Sequence, residues 1–212
     1  MDIPYYIELQ RRMIDIFRYV SCHEKNFGTY SVVLESLLVD ACSFFDSVCQ
    51  TFIREKSQAG YTFKQEGRDF KKKVEGKEGL FNCGDYRVLL EGDFGLSKHE
   101  LNLNRYDDSL CLNPLQSSPD KMSGYRIVPF RAWGNNDLLP WWETFTHLKH
   151  DRLANFREAN LGNAIYSLAG ALVLLALRNE SEALASRNPK TPAGCFRQRT
   201  AQTRSAMRMA SI

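Results

Sequence analysis

Residues 139–177 read LPWWETFTHLKHDRLANFREANLGNAIYSLAGALVLLAL, and the fold turns on the second half of that stretch. Leu161, Ala164, Ile165, Leu168, Leu172 and Leu175 recur at steps of three and four, one face of an α-helix. The opposite face carries Ala169, Gly170, Ala171, Val173, Leu174 and Ala176. A helix that is apolar all round must be surrounded by the rest of the chain. The run from Ala164 to Leu177 contains one polar residue, Ser167, and is shorter than the ~20 apolar residues a membrane span needs. A buried core helix is therefore expected, with no membrane partner. Its alanines and Gly170 allow close approach by a neighbouring helix or a second chain.

The first half of the stretch carries the candidate chemistry. Pro140 suits a first helical turn. His147, Lys149, His150 and Arg152 follow within six residues, and His147 and His150 share a helix face. Two readings stand at this point. The cluster is a solvated basic helix start with its histidines satisfied by neighbours, or it handles phosphate, with histidine moving protons and Lys149 and Arg152 holding a phosphodiester.

Working outward, residues 4–22 carry Tyr6, Leu9, Met13, Ile16, Phe17 and Val20 on one side and predict a first amphipathic helix. Residues 31–56 predict a second, with Leu34, Leu38, Ala41, Phe45, Val48 and Phe52 forming a seam for an antiparallel neighbour. Ser31 or Thr29 caps it. Residues 62–75 read as a short polar helix weakened by Gly67, with Lys71, Lys72 and Lys73 on a solvated face. From Gly79 the pattern alternates. Residues 85–96, 100–104 and 124–132 predict strands, and 113–124 a loop. The insertion spans about 79–133.

The chain is expected to be one domain over residues 1–182 followed by a basic, disordered tail over 183–212. That tail carries +6 and no acid, which leaves −3 on the body of a chain whose net charge is +3. The 43% hydrophobic and 25% charged fractions are those of a globular protein. Cys22, Cys42, Cys49, Cys83, Cys111 and Cys195 form no C-x-x-C pair and no zinc-finger spacing, so no metal or other cofactor is expected. The start MDIPYYIELQRR lacks the basic start and apolar core of a secretory signal, which points to a reduced, cytoplasmic compartment.

Two amphipathic helices, an insertion ending IVPFRAW, then WWETFTHLKHDR and FREANLGNAIYSLAGALVLL, together resemble the HEPN-like superfamily of prokaryotic helical proteins. The likeness is in particular to uncharacterised members with a WW…KH-x-R…AN-L final helix. The resemblance is strongest over residues 125–177, looser over 5–56 and absent from the tail. It implies a mainly α, up-and-down bundle with a small irregular β-containing insertion before the last core helix, and a homodimer. Many such relatives are metal-independent ribonucleases of toxin–antitoxin and phage-defence systems. Their site pairs an Arg with a His five to seven positions later.

Here the positions five to seven before His150 are Phe145, Thr144 and Glu143. The one literal match, Arg18 to His23, lies on the first helix, and a chain with this many arginines offers such a spacing by chance. What carries over is His150 as proton carrier, His147 as a second, and Lys149 and Arg152 as phosphate ligands, with RNA as substrate and an antitoxin or other protein as partner. The alternative is a non-catalytic HEPN-like module that dimerises or binds a partner or nucleotide, with Trp141 and Trp142 as packing anchors.

Overall fold

The computed structural model describes residues 2–67, 69–77, 79–103 and 125–187. The long elements are α1 (Asp2–Phe17) and α2 (Val32–Gln58). The insertion follows: α3 (Phe70–Val74), α4 (Cys83–Tyr86), a π turn (Arg87–Glu91), α5 (Gly92–Phe94), β1 (Leu101–Leu103), β2 (Tyr125–Ile127) and α6 (Arg131–Gly134). Then come α7 (Pro140–His150) and α8 (Leu161–Arg187). The chain is mainly helical, an up-and-down bundle of α1, α2, α7 and α8 with a small insert, which agrees with the expected fold class.

The seam on α2 is buried in full: Leu34, Leu38, Ala41, Phe45, Val48 and Phe52 all lie in the core. Ser31 caps this helix, its Oγ accepting from the Leu34 amide at 3.2 Å. Both faces of α8 are covered, and Leu161, Ala164, Ile165, Ala171, Leu174 and Leu175 are buried. Leu161–Asn179 is long and apolar enough by composition to cross a membrane, yet 67% of it is buried inside the bundle. Burial, rather than shortness, is what marks α8 as a core helix.

Aromatic rings join α7 and the insertion to α2. Phe45 packs against Trp141 at 5.0 Å, Trp142 at 5.6 Å, Phe130 at 5.9 Å and Tyr86 at 6.2 Å between centroids. The buried Trp141 indole donates to the Pro129 carbonyl at 3.1 Å. Trp141 and Trp142 are thus packing anchors in this fold.

The insertion differs from expectation. Against the strand expected over 85–96, the chain is helical from Cys83 through Phe94. Asn82 and Asp85 form a reciprocal capping box, and Tyr86, Leu89 and Leu90 turn to the core at helical spacing. A short apolar cluster next to Gly92 does not separate the two periods on its own. The helix expected over 62–75 is confined to Phe70–Val74, after Gly67. Helix α1 ends at Phe17, five residues early, and the chain turns there through bonds from Tyr19 and Val20 to the Ile16 carbonyl. The strands expected near 100–104 and 124–132 shrink to one antiparallel pair, Leu101 opposite Ile127 and Leu103 opposite Tyr125. At the other end α8 continues through Arg187. The expected loop over 113–124 and the tail beyond Arg187 lie outside the described residues.

Candidate functional site

Because the four long helices alternate in direction, the C-terminal ends of α1 and α7 meet the N-terminal ends of α2 and α8. Two loops close this end, 18–31 and 151–160. They are stitched together by backbone bonds from Leu161 to the Thr29 carbonyl (2.8 Å) and from Gly162 to the Phe27 carbonyl (3.0 Å). Tyr30 bridges to Asn160, its ring lies edge-on to Phe156, and the Arg157 guanidinium sits over it.

All four site candidates lie at this end. His147, Lys149 and His150 occupy the last turn of α7, where positive charge meets the negative end of the helix dipole. His147 Nδ1 is 2.8 Å from Glu158 Oε2. An ionised carboxylate only accepts, so Nδ1 carries the hydrogen of this contact. The Lys149 ammonium sits 4.1 Å above the centre of the buried Phe145 ring, a cation–π contact. His150 is exposed and has no hydrogen bond or ion pair among the described residues.

Arg152 follows in the loop, its side chain 64% exposed, with Nε 2.7 Å from Glu35 Oε1 on the first turn of α2. Glu35 is only 7% exposed. The two groups form an ion pair, but the N–H is not aligned on the oxygen, and Oε1 accepts no hydrogen bond.

The loop that carries these groups is held by its amides. Asn155 Nδ2 donates to the carbonyls of Asp151 (2.8 Å) and His147 (3.3 Å), and Asp151 Oδ1 accepts from the Ala154 amide. Asn163 Nδ2 donates to Thr144 Oγ1 on α7 and to the Glu158 carbonyl, both at 2.9 Å. Glu158 therefore reaches His147 from a fixed backbone.

The literal Arg–His spacing, Arg18 to His23, falls at the same end of the bundle. His23 Nδ1 accepts from the Lys25 amide and caps a 3₁₀ turn, and Arg18 lies 3.5 Å from Asp15. Beside it a mostly apolar groove of about 350 Å³ opens between α1 and α2, lined by Ile16, Tyr19, Val20, Val33 and Leu34. Arg12 on its rim pairs with Asp40 at 2.7 Å.

Sequence reading missed Glu35, Glu158 and Asn163. The signal for Glu35 was present, as an acid set among Leu34, Leu37 and Leu38 in an otherwise apolar turn. Among the described residues no group of three or more His, Cys, Asp or Glu side chains could hold a metal ion. Comparison with known proteins finds no family model, no curated protein and no solved structure that matches the chain.

Proposed function

We propose that the chain is a HEPN-like protein that works as a cytoplasmic homodimer and cleaves RNA at the loop end of its bundle, as a metal-independent endoribonuclease of a toxin–antitoxin or phage-defence system. The observation that carries this reading is that Lys149, His150 and Arg152 all stand exposed within four residues, on a loop end held by side-chain amides.

In the proposed reaction the ribose 2′-oxygen attacks the adjacent phosphorus and the P–O5′ bond breaks, leaving a 2′,3′-cyclic phosphate and a 5′-hydroxyl. His150 takes the 2′ proton, and His147, entering as the imidazolium, gives its Nε2 proton to the leaving oxygen. Lys149 and Arg152 bear the developing charge on the phosphate. The test is cleavage of a mixed structured RNA in EDTA by wild type and by His150→Ala. Cyclic phosphate ends that form with wild type and vanish in the variant are the expected result.

A second reading has its own support. The apolar groove and the exposed Tyr19, Val32 and Val33 fit a non-catalytic HEPN-like module that dimerises or docks a partner, and Arg152 is then a structural counter-ion for Glu35. Well-folded wild type that cleaves none of several RNAs decides for this reading.

A further inference from the structure

We infer that Glu35 is a positioning residue for Arg152, and that it holds the guanidinium by Nε so that its two terminal nitrogens are presented to a phosphodiester of single-stranded RNA. The inference rests on the RNA reading above and adds a residue and a contact to it.

Two arginines in the fold show the contrast that supports it. Arg178 is 17% exposed in its side chain and uses its whole fork: Nε and Nη2 donate to the two carboxylate oxygens of Glu55 at 2.8 and 2.7 Å, and Nη1 donates to Asp2. Each of its three nitrogens is engaged by a carboxylate. Arg152 touches its carboxylate by Nε, and among the described residues its terminal nitrogens donate to no acceptor. It is 64% exposed, whereas the carboxylate behind it is buried.

Burying Glu35 has a cost that a static tether does not explain. A buried ion pair stabilises little when its geometry is imperfect, and this one leaves Oε1 without an aligned donor. A leucine at position 35 would pack into the same apolar turn. What the carboxylate supplies is a fixed direction for a side chain that otherwise has many rotamers. A planar fork held in one direction matches two phosphate oxygens at once, which a lysine ammonium does not. Glu35 stands in the first turn of α2, where the helix dipole favours negative charge.

The experiment is fluorescence anisotropy of a labelled single-stranded RNA with the full chain, for wild type, Glu35→Gln, Arg152→Ala and the double variant, over a range of salt. Glu35→Gln is expected to weaken binding about five-fold, the order set by arginine rotamer freedom. Arg152→Ala is expected to weaken it at least as much and to lower the salt slope by about 0.7, the value for one phosphate contact on a single strand. In the Arg152→Ala background, Glu35→Gln should have no further effect on binding.

Wild-type affinity in folded Glu35→Gln, or tighter binding, overturns the proposal while leaving the RNA reading in place. So does an equal loss in both backgrounds. Wild type that binds no RNA overturns the RNA reading and the proposal with it. Should Glu35→Gln fail to fold, Arg152→Lys keeps the charge and removes the fork. A loss of affinity like that of Arg152→Ala supports the proposal, and wild-type affinity sinks it.

Discussion

Trp141 lies against the bare Cα of Gly170: a methyl group placed there would sit 3.1 Å from the indole Cζ2 and 3.4 Å from Phe130 Cζ. The absence of a side chain at this one position lets α7 dock on α8, and it places the turn that carries His147 and His150. Gly170→Val is expected to destabilise the fold by about 2 kcal/mol, since overpacking a close-packed core costs about 1–3 kcal/mol. Gly170→Ala should lose less, because alanine gains about 1 kcal/mol of helix propensity over glycine. Urea unfolding of the two variants measures both, and a valine variant as stable as wild type would contradict the contact.

Lys56 is 8% exposed, and its ammonium lies 5.4, 5.5 and 5.8 Å from the ring centres of Phe52, Tyr61 and Phe94. Burial lowers its pKa below the ordinary lysine value. In the window between the folded value and the unfolded value near 10.4, the unfolded chain binds more protons. Stability contributed by this group therefore rises with pH through that window. Lys56→Met should remove the rise. The check is the difference in unfolding free energy between wild type and variant from pH 8 to 10, and parallel curves would refute it.

The described cysteines are thiols of very different access. Burial pushes Cys42 and Cys49 well above the usual thiol range and Cys83 up to about 12. Only the thiolate reacts. At pH 8 an alkylating reagent should modify Cys22, which is half-buried, before the half-buried but raised Cys83, and should reach the buried Cys42 and Cys49 only on unfolding. Peptide mapping after short exposure reads this directly. Labelling of Cys42 at the rate of Cys22 would mean that α2 is not packed as described.

How much of this was legible from the chain depended on what each residue touches. The α2 seam and the two-faced burial of α8 could be read because one long helix carries the whole pattern. Residues 83–94 could not, since Val88, Leu89 and Leu90 form a run too short to show its period. The capping pair Asn82 and Asp85 was the better clue. At the candidate site, His147, Lys149, His150 and Arg152 were visible as a cluster in one stretch. Their settings were not. Glu35 reaches Arg152 from a different helix, and Glu158 reaches His147 across the loop, so both contacts exist only once the bundle has formed.

Arg178 ties α8 to both Glu55 at the end of α2 and Asp2 at the start of α1. It joins three helices at the end opposite the candidate site. The carboxylates are partly exposed, so water and salt screen the pairs. Arg178→Met is expected to cost about 1 kcal/mol at low salt and less in 1 M salt, where the Debye length falls to about 3 Å. Denaturant titrations at the two salt concentrations test it. A cost that is the same at both would assign the effect to side-chain packing instead of charge.

Asn163 holds the loop on which the candidate site depends. Its Nδ2 group spans Thr144 Oγ1 and the Glu158 carbonyl, and its amide receives a cap from Asn160 Oδ1 at 3.0 Å. Thr144 is buried. Asn163→Ala leaves two acceptors without a donor, which costs about 1–3 kcal/mol where the groups are buried. The backbone cap from Asn160 survives the change, so the helix start should hold while the 151–160 loop loosens. Hydrogen exchange should then speed up at the Ala154 and Asn155 amides, which bond within that loop, and stay slow at Leu161 and Gly162, which bond across to 27–29. Equal acceleration at all four positions would show that the two loops open as one unit, and that Asn163 secures the whole end of the bundle.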